Sequence, residues 1–144
     1  MVSTTQSYTG GCHCGSGQFV YSTAMAPENW SIRACQCGFC RAHGAQSASD
    51  PNGRLEFLVS GDGALVHYRF GLRTAAFLFC RSCGVYVGAQ FETDRGAFGV
   101  INIRAMQQAP VGIPAATSVN YEQESVAQRQ GRRERLWTPL EKLV

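Results

Sequence analysis

A chain of 144 residues, 44% hydrophobic and 16% charged, is expected to form one domain over 1–144, burying about 68–70% of the surface its unfolded form exposes. No apolar stretch approaches the ~20 residues of a membrane span, so no membrane association is expected. The net charge of +3 is carried almost wholly by arginine, and the basic run Arg129, Arg132, Arg133 and Arg135 reads most simply as a solvated segment interleaved with Glu134, so nucleic acid is not expected as a partner.

In chain order, MVSTTQSYTG has no basic region followed by an apolar run, so no secretory signal is expected and the setting reads as cytoplasmic and reducing. CHCG precedes the first predicted strand, GQFVYST (17–23), and WSIRAC (30–35) runs into CQCGFC. RLEFLVSG (54–61) and ALVHYRFG (64–71) flank SGDG, whose glycines and aspartate tolerate the positive φ of a hairpin turn. AAFLFC (75–80) and VYVGAQFE (85–92) are joined by CRSCG, read as a knuckle, and TDRG (93–96) reads as a second hairpin turn before AFGVINIR (97–104). These runs, rich in Val, Ile, Phe and Tyr, predict a mainly β, antiparallel chain. After a loop with two prolines (107–116), TSVNYE (117–122) predicts an edge strand, and the segment 122–137 a short helix broken near Gly131.

All seven cysteines fall in three clusters: Cys12 and Cys14; Cys35, Cys37 and Cys40; Cys80 and Cys83. Disulfides fit poorly, because the number is odd and a bridge within C-x-C closes a strained ring. Thiolate ligands for metal fit better. Structural zinc takes four protein ligands, whereas catalytic zinc takes three and keeps one position open, and seven is four plus three. The favoured partition joins Cys12, Cys14, Cys80 and Cys83 and leaves Cys35, Cys37 and Cys40 as an open set. A ribbon of Cys37, Cys40, Cys80 and Cys83 competes with it, and the sequence leaves both standing. His43 or His13 as a fourth ligand of the open set is a further alternative, as is an ordinary surface role for each. Gly15, Gly38 and Gly84 follow cysteines and are expected to let backbone amides turn toward sulfur.

GGCHCGSGQFVY, CQCGFCRAHG and FCRSCGVYV followed by VINIR, in this order, resemble the glutathione-dependent formaldehyde-activating enzymes, a group that includes centromere protein V. The resemblance covers about residues 9–105 and leaves about 106–144 as a C-terminal extension. It implies an Mss4-like fold of stacked antiparallel sheets, a structural zinc on Cys12, Cys14, Cys80 and Cys83, and a catalytic zinc on Cys35, Cys37 and Cys40. The implied activity is that of a carbon–sulfur lyase, which adds a small thiol such as glutathione to formaldehyde or a related small aldehyde. A thiol entering an open zinc position is deprotonated, which makes it a nucleophile. Glutathione carries carboxylates, so a nearby arginine fork is expected; Arg41 is the first candidate by position, ahead of Arg33, Arg73 and Arg81. Trp30 and Phe39 are candidates to line the pocket, though core packing is the simpler reading, and His67 reads as a paired sheet histidine. The rival class is a zinc-stabilised binding module with both metals structural.

Overall fold

The computed structural model describes residues 4–144. Strand β1 (Gln6–Gly11) pairs antiparallel with β2 (Gly17–Thr23), whose alternation turns Phe19, Tyr21 and Thr23 inward and Gln18 outward. Across β2 runs β5 (Arg54–Val59), in a register that sets Phe57 opposite Phe19 and Leu55 opposite Tyr21, so four large inward side chains stack as two cross-strand pairs. A meander follows: β6 (Leu65–Tyr68), β7 (Ala76–Cys80), β8 (Tyr86–Thr93) and β9 (Gly96–Asn102). Leu65, Leu78, Val87 and Ile101 from these strands fill the core with the β2–β5 residues. Phe57 lies so close to β8 that a Cβ on Gly88 would stand 2.9 Å from its ring, which leaves room for glycine alone.

Strand β9 is the junction of the sheet. One edge pairs with β8 throughout; the other is shared, Ala97–Gly99 with β11 (Thr138–Leu140) and Ile101–Asn102 with β4 (Ser47–Ala48). From β4 the sheet continues through β3 (Arg33–Cys35) to β10 (Thr117–Val119). Helix α1 (Gly38–His43) follows β3, and α2 (Val126–Leu136) precedes β11.

The expected mainly β class is what the chain adopts, with two departures from pure antiparallel pairing: β10 runs parallel to β3, and β11 runs parallel to β5. TDRG forms the tight β8–β9 turn, with Gly96 at φ +135°. SGDG is a turn but no hairpin, because β5 pairs with β2 and β11 whereas β6 pairs with β7. Of WSIRAC only the last three residues form strand; Trp30 and Ile32 enter the core from the preceding loop. Helix α2 runs unbroken through Gly131. A capping box starts it, Ser125 Oγ accepting from the Gln128 amide at 3.1 Å while Gln128 Oε1 accepts from the Ser125 amide at 2.9 Å, and this outweighs one interior glycine. The residues expected to be an extension are part of the sheet: β11 lies between β5 and β9, and Trp137 packs edge-on against Phe91 with ring centroids 5.3 Å apart. Among the described residues no helix is long and apolar enough to cross a membrane.

Candidate metal centres

The first cysteine cluster is built from two reversals of chain. After β1, Gly15 at φ +85° turns the backbone so that the Gly17 amide donates to Cys12 Sγ at 3.3 Å. After β7, Gly84 at φ +80° closes a second reversal in which the amides of Ser82 and Cys83 donate to Cys80 Sγ at 3.3 and 3.4 Å. Leu65 joins the two: it is the cross-strand partner of Cys80, and its side chain lies against Gly17. Cys14 Sγ therefore stands 3.5 Å from Cys80 Sγ and 3.7 Å from Cys12 Sγ, and with Cys83 all four sulfurs lie within 4.8 Å of one another. Four sulfurs about 2.3 Å from a tetrahedral zinc are about 3.8 Å apart, so the spacing suits that ion. Burial pushes the Cys12 thiol up to about 11, while the hydroxyl and amide of Ser16 hold exposed Cys14 down at about 6.

The second cluster is built on one short segment. Cys35 ends β3, Cys37 caps α1 by accepting the Cys40 amide at 3.4 Å, and Cys40 follows in the first helical turn. Gly38, unlike Gly15 and Gly84, serves as the first residue of α1 and not as a left-handed turn. The three sulfurs lie within 4.8 Å of one another, and among the described residues no further Cys, His, Asp or Glu joins them. His43, at the far end of α1, packs at a tilt against Phe39 with ring centroids 4.6 Å apart, and His13 is exposed. Hydrogen bonds from Cys35 and Cys40 depress the Cys37 thiol to about 2, whereas the bonds of Cys40 to Cys35 and Cys37, with burial, raise Cys40. One thiolate flanked by two proton donors is a set from which a divalent cation displaces protons, so the donor chemistry fits zinc. All seven cysteines are free thiols, and the ribbon grouping of Cys37 and Cys40 with Cys80 and Cys83 is not the one the fold brings together.

A cavity opens over the second cluster. Phe70, Phe77 and Tyr86 form an aromatic wall beside the three sulfurs, and Arg33 with Arg129, Arg132 and Arg133 of α2 forms a cationic one. Arg132 forks Glu124 at 2.8 and 2.9 Å and lies 3.4 Å over the Tyr121 ring; Arg129 stands 3.5 Å from the same carboxylate. Arg33 donates to Ser49 Oγ at 2.7 Å, and Arg133 to Thr74 Oγ1 at 2.7 Å.

Arg41 is exposed on α1 and does not line this cavity; it follows Cys40 by one helical step of about 100°, which carries it off the sulfur-bearing side. Arg73 and Arg81 are exposed too, each bonded to a nearby carbonyl, so of the four arginines singled out in the sequence only Arg33 reaches the cavity. Trp30 packs between Tyr8 and Tyr21 in the core, Phe39 packs behind the cavity wall on Phe77 and Tyr86, and His67 bonds the Val144 carbonyl oxygen at 2.8 Å. The α2 arginines were hidden in a run that reads as solvated. Their signal is the i, i+3, i+4 spacing of Arg129, Arg132 and Arg133, which stacks three guanidinium groups on one side of a helix.

Residues 7–131 match the family described as glutathione-dependent formaldehyde-activating enzyme, a span that takes in both cysteine clusters and runs into α2. A crystal structure of a Rhodobacter sphaeroides protein is similar at 28% identity and a TM-score of 0.57, over 77% of this chain and 99% of that one. The mainly β architecture with its cysteine clusters is the Mss4-like one. On a match across most of its length, this chain belongs to the glutathione-dependent formaldehyde-activating enzyme family.

Proposed function

We propose that the chain adds a thiol, glutathione or a close relative, to formaldehyde or a similar small aldehyde, acting as a carbon–sulfur lyase in its synthetic direction, with the second cysteine cluster as its reactive centre. The observation that supports this best is the inequality of the clusters: four sulfurs complete one tetrahedron, whereas Cys35, Cys37 and Cys40 leave a corner that faces a cavity. We read the first as a structural zinc site and the second as a catalytic one, in a protein of the cytoplasm. Zinc held by the three thiolates would supply acidity to a thiol placed at that corner.

The chain's own residues supply the rest. In the net reaction a sulfur–carbon bond forms, the carbonyl π bond breaks, and the carbonyl oxygen takes up the proton that the sulfur gave up. The cationic wall offsets the negative charge gathered by three thiolates and an anionic substrate. Phe70 and Phe77 keep one side of the cavity apolar, which limits competition from water for the aldehyde.

Metal analysis of purified protein is expected to find two zinc ions per chain, one of them released by mild chelation. With cobalt in the loosely held position, glutathione is expected to change the sulfur-to-cobalt charge-transfer bands, and formaldehyde then to be consumed faster than by glutathione alone. Two equally inert metal ions and a spectrum blind to thiols would overturn the proposal in favour of a binding module.

A further inference from the structure

The cationic wall is not uniform. Arg129 and Arg132 already share the carboxylate of Glu124, so both have an anionic partner within the protein. Arg133 has no such partner: among the described residues no carboxylate lies within ion-pair distance of it. Its one side-chain hydrogen bond goes to the neutral hydroxyl of Thr74, its Nε has no partner at all, and the residue is only 7% exposed. The guanidinium lies 4.8 Å from the Trp137 ring centroid and lines the cavity over the three sulfurs.

A buried cation with an unused donor is expensive to keep. Packing alone does not account for it, because a methionine of similar length covers Trp137 without the desolvation. Burial lowers the guanidinium to about 10, so it still carries its charge at neutral pH. Glu124 and Cys35 act on it only through space, and what it lacks is an anion bonded directly to its fork. The planar fork of an arginine matches a carboxylate.

The geometry points to Arg133 as the residue that binds a carboxylate of the thiol substrate, setting the specificity of the site for thiols that carry an anionic group within the cavity. This inference rests on the thiol-addition reading and narrows it: Arg133, and not Arg41 or the paired Arg129 and Arg132, discriminates acidic thiols from neutral ones. Arg33, the other arginine of the wall outside any ion pair, stands at the β3 side.

Calorimetric binding to the zinc-loaded protein tests it with two probes of similar size, 3-mercaptopropionate and 2-mercaptoethanol. The native protein is expected to prefer the acidic thiol by about tenfold or more, the scale of a hydrogen bond to a charged group. Arg133→Met is expected to lose that preference, any loss of wall charge weakening both thiols alike, with an unchanged zinc content per chain as the control for an intact cluster. Arg133→Lys, which keeps the charge without the fork, is expected to fall between. Equal binding of the two thiols by the native protein overturns the inference without any variant, and so does an undiminished preference in Arg133→Met, or in Arg133→Lys should the methionine variant not fold. If neither thiol binds, the thiol-addition reading fails instead, and propionate then tests Arg133 alone. Propionate is expected to perturb Trp137 fluorescence in the native protein and not in Arg133→Met; no perturbation in the native protein sinks the anion site as well.

Discussion

The two cysteine clusters use almost the same chemistry and differ in where the chain takes its sulfurs from. Cys12 and Cys14 belong to one hairpin, Cys80 and Cys83 to another 66 residues later, so that cluster ties distant strands of the sheet. Cys35, Cys37 and Cys40 come from six consecutive residues, the first at the end of β3 and the other two at the start of α1. On the proposed reading, a metal in the first position works on the whole fold, and in the second on whatever enters the cavity. The contrast that supports that reading is one of ligand number and loop span together.

The largest expected effect breaks the first cluster. Cys80→Ser removes a ligand from the set that joins the two hairpins, where binding free energy is folding free energy on the scale of about 10 kcal/mol for structural zinc, so the variant is expected to lose its cooperative circular-dichroism melt. Cys37→Ser is expected to stay folded and to lose one zinc ion. The opposite order of damage reverses the assignment of the two clusters.

A smaller effect sharpens the contrast within the folded protein. After mild chelation empties the second cluster, Cys37 is expected to be its reactive thiolate, because its neighbours hold it down at about 2. The thiolate is the nucleophile and exists above its pKa. Alkylation of Cys37, mapped by mass spectrometry, is therefore expected to be nearly flat from about pH 4 to about pH 8, whereas an ordinary thiol gains about tenfold per unit. A tenfold-per-unit rise at Cys37 contradicts the shared-proton arrangement. The smallest effect lies in α2: Gly131→Ala is expected to add about 0.5–1 kcal/mol to stability, read as a higher melting temperature, and to leave the chelation rates of both metal ions unchanged. Slower loss of the loosely held ion in that variant would show that motion of α2 admits the chelator.

Local features were legible in the sequence. The alternation in GQFVYST and the turn residues of TDRG gave β2 and the β8–β9 hairpin because both depend on neighbours in the chain. The three cysteine clusters were legible for the same reason. Long-range partners were not. Thr138–Leu140, three residues with a central proline, carries no strand signal, and it forms a strand only because β5 and β9 stand on either side with open edges. Arg133 looked like one more surface charge because Thr74 and Phe91, which with Trp137 at the end of its own helix bury it, lie far away in the sequence. Arg41 illustrates the converse error, since adjacency to Cys40 in sequence becomes divergence on a helix.

The placement of β11 has a consequence for how the chain is made. Synthesis delivers β5 and β9 long before residues 138–140 leave the ribosome, so for that interval the sheet has a gap whose unpaired edges are open to other chains. Because α2 leads directly into β11, the step that closes this gap is also the step that brings Arg133 over the three sulfurs. A nascent chain that has not finished its sheet has therefore not yet assembled its cavity, and the cysteines of the second cluster meet the α2 arginines only once that gap is closed.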